Sequence, residues 1–354
     1  MSQTTTVVHS EKTRELVRMR TQQRENCLSL CTLLYAQLLI MGALSLLSIA
    51  SSGSWQSVLM LLPPAALLFV LGRISARRAQ PPRLLQGVFA LCFLSDMALC
   101  LLSLTELVCA YVLPHYPRAL IALPTAVLCA LALHSRQQGA ARRTCAFLCA
   151  FFLLSLLICL LFALPEGDIG YIFPLFGYGA AQTLRGTLYM TGGVWIFGAL
   201  PFFVKRTQDA PLRRSRVDAP PFLTLVLSAL LLFFYAFLLP APLLPGDWGF
   251  VLRLQLIMEM SPSILSWSLM LLSRMLLLLS SYCVAGDYCC ECLHSALKKT
   301  RFPLYLPALF SALIILLPLH KLLSPLEVLL PARCALVLFA LILSLFARKK
   351  EASA

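Results

Sequence analysis

The chain has 354 residues, of which 60% are hydrophobic and 12% charged, with a formal net charge of +14. A soluble domain carries about 25% charged residues, so soluble surfaces of this size could not be covered, and a disordered chain, which must be polar, is excluded too. Membrane spans of about 20 apolar residues would use most of the length and leave no room for a sizeable extramembrane domain.

The first 26 residues are polar and basic, and are expected to form a cytoplasmic tail and not a signal peptide. Ten apolar segments follow, at 27–49, 55–71, 84–113, 119–133, 144–164, 184–204, 221–244, 264–284, 304–319 and 328–346. Pro63-Pro64 breaks the second. The stretch 248–263 before the eighth reads as an interfacial helix, and residues 348–354 as a second cytoplasmic tail. The expected organisation is therefore a ten-span domain over 27–347, all-α and integral to the membrane, between two short tails.

The basic residues sort by loop. The N-terminal tail, the loops after spans two, four, six and eight, and the C-terminal tail hold 23 of the 29 Lys and Arg. Arg118, Arg185, Lys321 and Arg333 read as the basic residues of the opposite side. Loops rich in Lys and Arg stay cytoplasmic, which puts both termini inside and favours an even number of spans. The positive charge thus reads as an orientation code for a protein in a lipid bilayer, not as a nucleic-acid site.

Most of the 14 cysteines lie in or beside apolar segments, where free Cys packs as a small apolar residue. The cluster Cys283…Cys289-Cys290-Glu291-Cys292 with His294 lacks paired Cys-x-x-Cys spacing. No metal site, cofactor or enzyme activity is expected, because no catalytic or nucleotide-binding motif stands in the chain.

Glycines inside spans one and six mark expected interruptions. Span one has Gly42 and Ala43 near its middle, and span six reads Tyr189-Met190-Thr191-Gly192-Gly193-Val194-Trp195. Thr191-Gly192-Gly193 weakens a helix, and breaks five spans apart suggest a five-plus-five inverted repeat. Proteins built so bind substrate at the midplane, between half-helix ends. Gly42, Ala43, Tyr189, Thr191, Gly192, Gly193 and Trp195 are therefore the candidate substrate-binding residues, the alternative being that the glycines only permit close helix packing. Asp96, Glu106 and Arg274 lie inside apolar segments. Each such charge costs about 2.5–3.5 kcal/mol on insertion scales and is a functional candidate. An ion-coupling role for Asp96 and a structural Asp96–Arg274 pair both remain open at this point.

The stretch Gly167-Asp168-Ile169-Gly170-Tyr171-Ile172-Phe173-Pro174-Leu175-Phe176-Gly177-Tyr178-Gly179 precedes span six. With Leu184-Arg185-Gly186, Leu200-Pro201, and Trp267 seven residues before Arg274, it resembles the bacterial spore germination permeases, the B subunits of nutrient germinant receptors. That family belongs to the amino acid–polyamine–organocation superfamily, which implies a LeuT-like inverted repeat. The resemblance further implies a small nutrient ligand such as an amino acid, bound between spans one, three, six and eight. It also implies germinant receptor A and C subunits as partners, and the bacterial cell membrane or spore inner membrane as the location. The alternatives are a proton-coupled transporter of amino acids or organic cations, and a degenerate scaffold that transports nothing.

Overall fold

The computed structural model describes residues 2–45, 51–78, 82–113, 116–134, 140–163, 168–172, 179–204, 215–238, 264–297, 305–316 and 319–351. Among them are helices α1 (Ser2–Ser45), α2 (Ser51–Leu59), α3 (Leu62–Arg78), α4 (Arg83–Tyr111), α5 (Arg118–His134) and α6 (Ala140–Ala163). A 3-10 turn (Ile169–Ile172) leads to α7 (Ala180–Val194), α8 (Ile196–Val204), α9 (Ser215–Leu238), α10 (Ile264–Leu297), α11 (Tyr305–Leu316) and α12 (Leu319–Glu351). No strand occurs among the described residues. Each of the ten apolar segments overlaps a helix, with the second and sixth each divided between two. Over the described residues, five stretches are long and apolar enough to cross a membrane: Trp55–Ala76, Arg83–Cys109, Ala180–Val204, Leu271–Leu297 and Leu329–Phe346. The expected interfacial helix at 248–263 lies outside the described residues.

The division of the second segment has a local cause. Helix α2 stops at Leu59, Met60 and Leu61 form a turn, and Pro63-Pro64 sit in the first turn of α3. Proline there lacks only an N–H that the helix start leaves unused. The ladder resumes when the Ala65 N–H donates to the Leu61 carbonyl at 3.0 Å.

Packing follows the expected repeat. Helix α1 packs on α7, α2 on α9, α4 on α10, and α5 on α11, so equivalent units of the two halves face one another. Helices α4 and α10 run antiparallel: Cys289 Sγ donates to the Ala90 carbonyl at 3.4 Å and Phe93 stacks on Tyr288 at 5.2 Å, while Cys100 lies by Tyr282 and Cys283. The centre is apolar, with Leu30, Leu33, Leu34, Leu38, Phe89, Phe93 and Phe197 all fully buried. Outward-facing residues are apolar too, Phe147 being 81% and Phe346 70% exposed, as a lipid-facing surface requires. In that setting polar side chains join helices to one another. Ser75 meets Ser344 at 2.8 Å between α3 and α12, Tyr282 meets Ser311 at 2.9 Å between α10 and α11, and Ser57 donates to the Thr183 carbonyl at 3.1 Å between α2 and α7.

Two expectations need correction. No interruption falls at Gly42 and Ala43, because α1 runs through both to Ser45; their side-chain surroundings lie outside what is described. The sixth segment stays helical through Thr191, Gly192 and Gly193 and is interrupted only at Trp195, between α7 and α8. There the Gly198 N–H reaches back only three residues, to the Trp195 carbonyl at 2.9 Å. The glycines serve close packing instead. A Cβ on Gly192 would lie 2.8 Å from the Leu330 carbonyl oxygen of α12, and one on Gly72 of α3 would lie 2.5 Å from the Gly198 carbonyl oxygen of α8.

Candidate functional site

Four elements bring polar side chains together in the apolar centre. Helix α1 contributes Gln37, α4 contributes Asp96, the junction of α7 and α8 contributes Trp195, and α12 contributes Arg333. Gln37, Asp96 and Trp195 are fully buried and Arg333 is 4% exposed. Their depth follows from helix rise. Asp96 stands thirteen residues beyond Arg83, Gln37 thirteen beyond Arg24, and Arg333 fifteen before Arg348. At about 1.5 Å per residue each lies about 20 Å from the basic end of its own helix, near the middle of a hydrocarbon core about 30 Å thick.

Arg333 Nη1 donates to Asp96 Oδ1 and, at 2.8 Å, to Ser95 Oγ. Gln37 Nε2 donates to Cys100 Sγ at 3.6 Å, one turn along α4 from Asp96. The Trp195 indole packs edge-on to Phe93 with ring centroids 4.8 Å apart. Its N–H lies beside the Asp96 carboxylate, outside hydrogen-bond geometry. Among the described residues five buried polar atoms of this cluster have no hydrogen-bond partner: Gln37 Oε1, Asp96 Oδ2, Trp195 Nε1, and Arg333 Nε and Nη2. Unpartnered groups are expensive in a low-dielectric interior and call for a specific reason.

The sequence candidates separate accordingly. Asp96 and Trp195 belong to the cluster, and Gly193 adjoins it, since a Cβ there would lie 3.4 Å from Gln37 Cβ. Gly192 faces α12. Thr191 offers its carbonyl to Cys334 Sγ at 2.9 Å, and Tyr189 is half-buried on α7, about 9 Å along the axis before Trp195. Glu106 lies apart, paired with Arg118 at the start of α5 at 2.9 Å. The expected Asp96–Arg274 pair gives way to Asp96–Arg333. The antiparallel register of α4 and α10 is the reason: it sets buried Arg274 level with Glu106, about 16 Å along the helix from the level of Asp96.

Arg333 was missed as a site residue because it reads as a charge of the opposite-side loop. Its place inside the apolar segment 328–346 is the signal that marks it as intramembrane. A second cluster, read from sequence as topology alone, closes the basic end. Arg142 of α6 reaches Asp287 at 2.6 Å and Glu291 at 2.6 Å on α10, and Asn26 Oδ1 of α1 at 3.3 Å. Its guanidinium stands 4.0 Å over the Tyr288 ring. Asn26 Nδ2 in turn donates to the Phe203 carbonyl of α8 at 3.1 Å. The spacing Asp287…Glu291 puts both carboxylates on one helix face and could have announced a shared cation. Among the described residues no group of three His, Cys, Asp or Glu is placed to hold a metal ion.

Comparison with known proteins agrees with this architecture. The sequence model of the spore germination protein family matches residues 82–241. No curated protein sequence matches the chain. The manganese transporter of Eremococcus coleocola, solved with an aromatic bis-isothiourea substituted compound, is similar in structure with a TM-score of 0.50 at 16% identity, over 91% of this chain and 77% of that one. A mutant of the same transporter gives a TM-score of 0.53 at 15% identity, over 92% and 78%. At such identity the likeness is one of fold, the LeuT-like fold expected from the sequence. The chain is a multi-pass, permease-like membrane protein whose residues 82–241 carry the pattern of the spore germination family.

Proposed function

We propose that the chain is the permease-like subunit of a spore nutrient germinant receptor, in which a small nutrient binds at the bundle midplane and shifts the helices between two arrangements. The observation that carries this reading is the Asp96–Arg333 pair, set in the apolar centre with unpartnered polar atoms around it. Intramembrane charges of this kind mark ligand or ion pathways by default. A ligand acts here only through unequal affinity for the two arrangements. In this reading both termini lie on the cytoplasmic side of the cell membrane or spore inner membrane, which the excess of Lys and Arg in the tails and alternate loops supports. Germinant receptor A and C subunits would receive the signal.

The second reading is a proton-coupled transporter of amino acids or organic cations, favoured by the fold shared with a transporter. A nutrient screen by thermal shift on the purified chain tests binding, since a ligand of the folded state raises its stability by mass action. Uptake of the labelled nutrient into proteoliposomes separates the two readings. Binding without concentrative uptake supports the receptor, and robust uptake by the chain alone supports the transporter. A chain that binds nothing and transports nothing is a scaffold. Flanking genes for A and C subunits would support the receptor assignment.

A further inference from the structure

We propose that α1 is the output lever of the receptor: a stiff helix that pivots at Asn26 and passes a change at the level of Gln37 to its arm beyond the basic end, residues 2–25, which rests on an acidic face of a partner protein. This rests on the receptor reading.

The stiffness is written in the sequence. From Ser2 to Met41 the chain holds no Gly and no Pro, and α1 runs unbroken through that stretch. Sharp kinks arise almost always at such residues or at bulges in the helix ladder. One rod therefore joins the centre of the bundle to the space beyond its basic end.

The pivot follows from how unevenly the rod is tied. The Asn26 side chain donates to the Phe203 carbonyl of α8 at 3.1 Å and accepts from Arg142 of α6 at 3.3 Å. Its backbone carbonyl accepts from the Tyr288 hydroxyl of α10 at 3.3 Å, and Ser29 Oγ, one turn on, meets the same hydroxyl at 3.0 Å. At Gln37 the polar tie is a single contact with Cys100 Sγ at 3.6 Å, and Oε1 has no partner among the described residues. Sulfur is a weak acceptor. Polar contacts thus hold Asn26 to three helices and Gln37 to one. Gln37 stands eleven residues from Asn26 on one side and Arg14 twelve on the other, arms of about 16 and about 18 Å. With arms so nearly equal, a shift of about 3 Å at Gln37 moves Arg14 by about 3 Å the opposite way.

The arm is exposed at Arg14, Val17, Arg18, Thr21, Gln22 and Arg24. The spacing of Arg14, Val17, Arg18 and Thr21 puts them on one helix face, and a face with two arginines is complementary to an acidic surface. Lipid headgroups fit less well. The arm continues the axis of a membrane span and carries Arg14 about 18 Å along it beyond Asn26, more than twice the Debye length of about 8 Å. Helices that lie on a bilayer also carry an apolar face with Trp, Phe or Leu, and residues 2–25 hold one Leu and no Phe, Trp or Tyr.

The test uses spores carrying the full-length chain, and the same chain purified. The probe is the amino acid or sugar to which the parent spores respond. Gln22→Pro kinks the rod between arm and pivot, while Gln22→Ala at the same exposed position keeps it helical. At matched membrane levels Gln22→Pro is expected to need at least tenfold more nutrient to germinate, and Gln22→Ala the same amount as the parent. Purified Gln22→Pro is expected to keep the parent's thermal shift with that nutrient, a split that loss of folding would not produce. A photocrosslinking residue at Val17 should give a protein adduct in the spore membrane. Arg14→Glu/Arg18→Glu should abolish the adduct and raise the nutrient requirement at least tenfold.

An unchanged dose response in Gln22→Pro would overturn the lever, and so would loss of its thermal shift. An adduct with lipid alone, no adduct, or one that survives the charge reversal would overturn the acidic partner. Parent spores that respond to no nutrient, or that respond equally once the chain is deleted, would remove the receptor reading and the lever with it.

Discussion

The glycines of the sixth segment allow a sharp prediction, because the structure separates residues that the sequence joins. A Cβ on Gly192 would lie 2.8 Å from the Leu330 carbonyl oxygen, while one on Gly193 would have Gln37 Cβ as its nearest neighbour at 3.4 Å. Ordinary contact begins near 3.4 Å, so Gly192→Ala requires α7 and α12 to part by about 0.6 Å. The opposing atom belongs to the backbone and cannot rotate away. Overpacking of this kind costs about 1–3 kcal/mol, offset by about 1 kcal/mol from better helix propensity. Gly192→Ala should therefore lose up to about 2 kcal/mol, and Gly193→Ala should be neutral or gain up to about 1 kcal/mol. Gly72→Ala, whose Cβ would meet the Gly198 carbonyl oxygen at 2.5 Å, should lose most. Gly198→Ala should fall between, since its Cβ would meet the Val337 Cγ1 methyl at 2.9 Å, and that side chain can shift. Thermal midpoints of the four purified variants in one detergent give the order. Equal losses at Gly192 and Gly193 would refute the reasoning and restore the idea of a break at that pair.

Three other outcomes follow from the same geometry. Arg142→Ala removes the guanidinium that Asp287 and Glu291 share. Breaking a buried pair costs about 3–5 kcal/mol, but the carboxylate side chains are 16% and 25% exposed, so a loss of about 2 kcal/mol is expected in thermal or denaturant unfolding. Arg142→Lys should recover only part of it, because an ammonium lacks the fork that reaches two carboxylates and Asn26 together. Asp96→Asn alone should destabilise the chain more than the double variant Asp96→Asn/Arg333→Gln, since it strands Arg333; membrane-inserted yields compare them. Tags or single reactive cysteines at the two termini should be accessible only from the cytoplasmic side in oriented vesicles, and accessibility from outside would reverse the assigned orientation.

The class and course of the fold were legible in the sequence because the bilayer imposes them. Every backbone group within it must be satisfied in place, so apolar length reads directly as helices, and Pro63-Pro64 reads as a break in one of them. Asp96 was legible as an intramembrane charge through its place in an apolar segment, and Trp195 as a candidate through its place beside the glycine pair, and both are buried in the centre. The partner of Asp96 was not. Which of two arginines meets a buried carboxylate depends on the register between helices far apart in sequence, and the antiparallel run of α4 and α10 carries Arg274 to the level of Glu106. The glycine pair misled for a related reason. Helix propensity ranks Gly192 and Gly193 alike, but α12 packs on one and α1 on the other. Arg142 was visible as a loop charge, whereas its binding of α1, α6 and α10 into one end of the bundle needed the fold.

The most direct test of a nutrient site at the bundle midplane is germination itself. Spores whose chromosomal copy carries Asp96→Asn/Arg333→Gln are compared with the parent across a nutrient series, with membrane levels of the protein matched by immunoblot. The account predicts that the parent germinates and that the variant needs at least tenfold more nutrient or fails to respond. An unchanged dose response at equal protein level would contradict it.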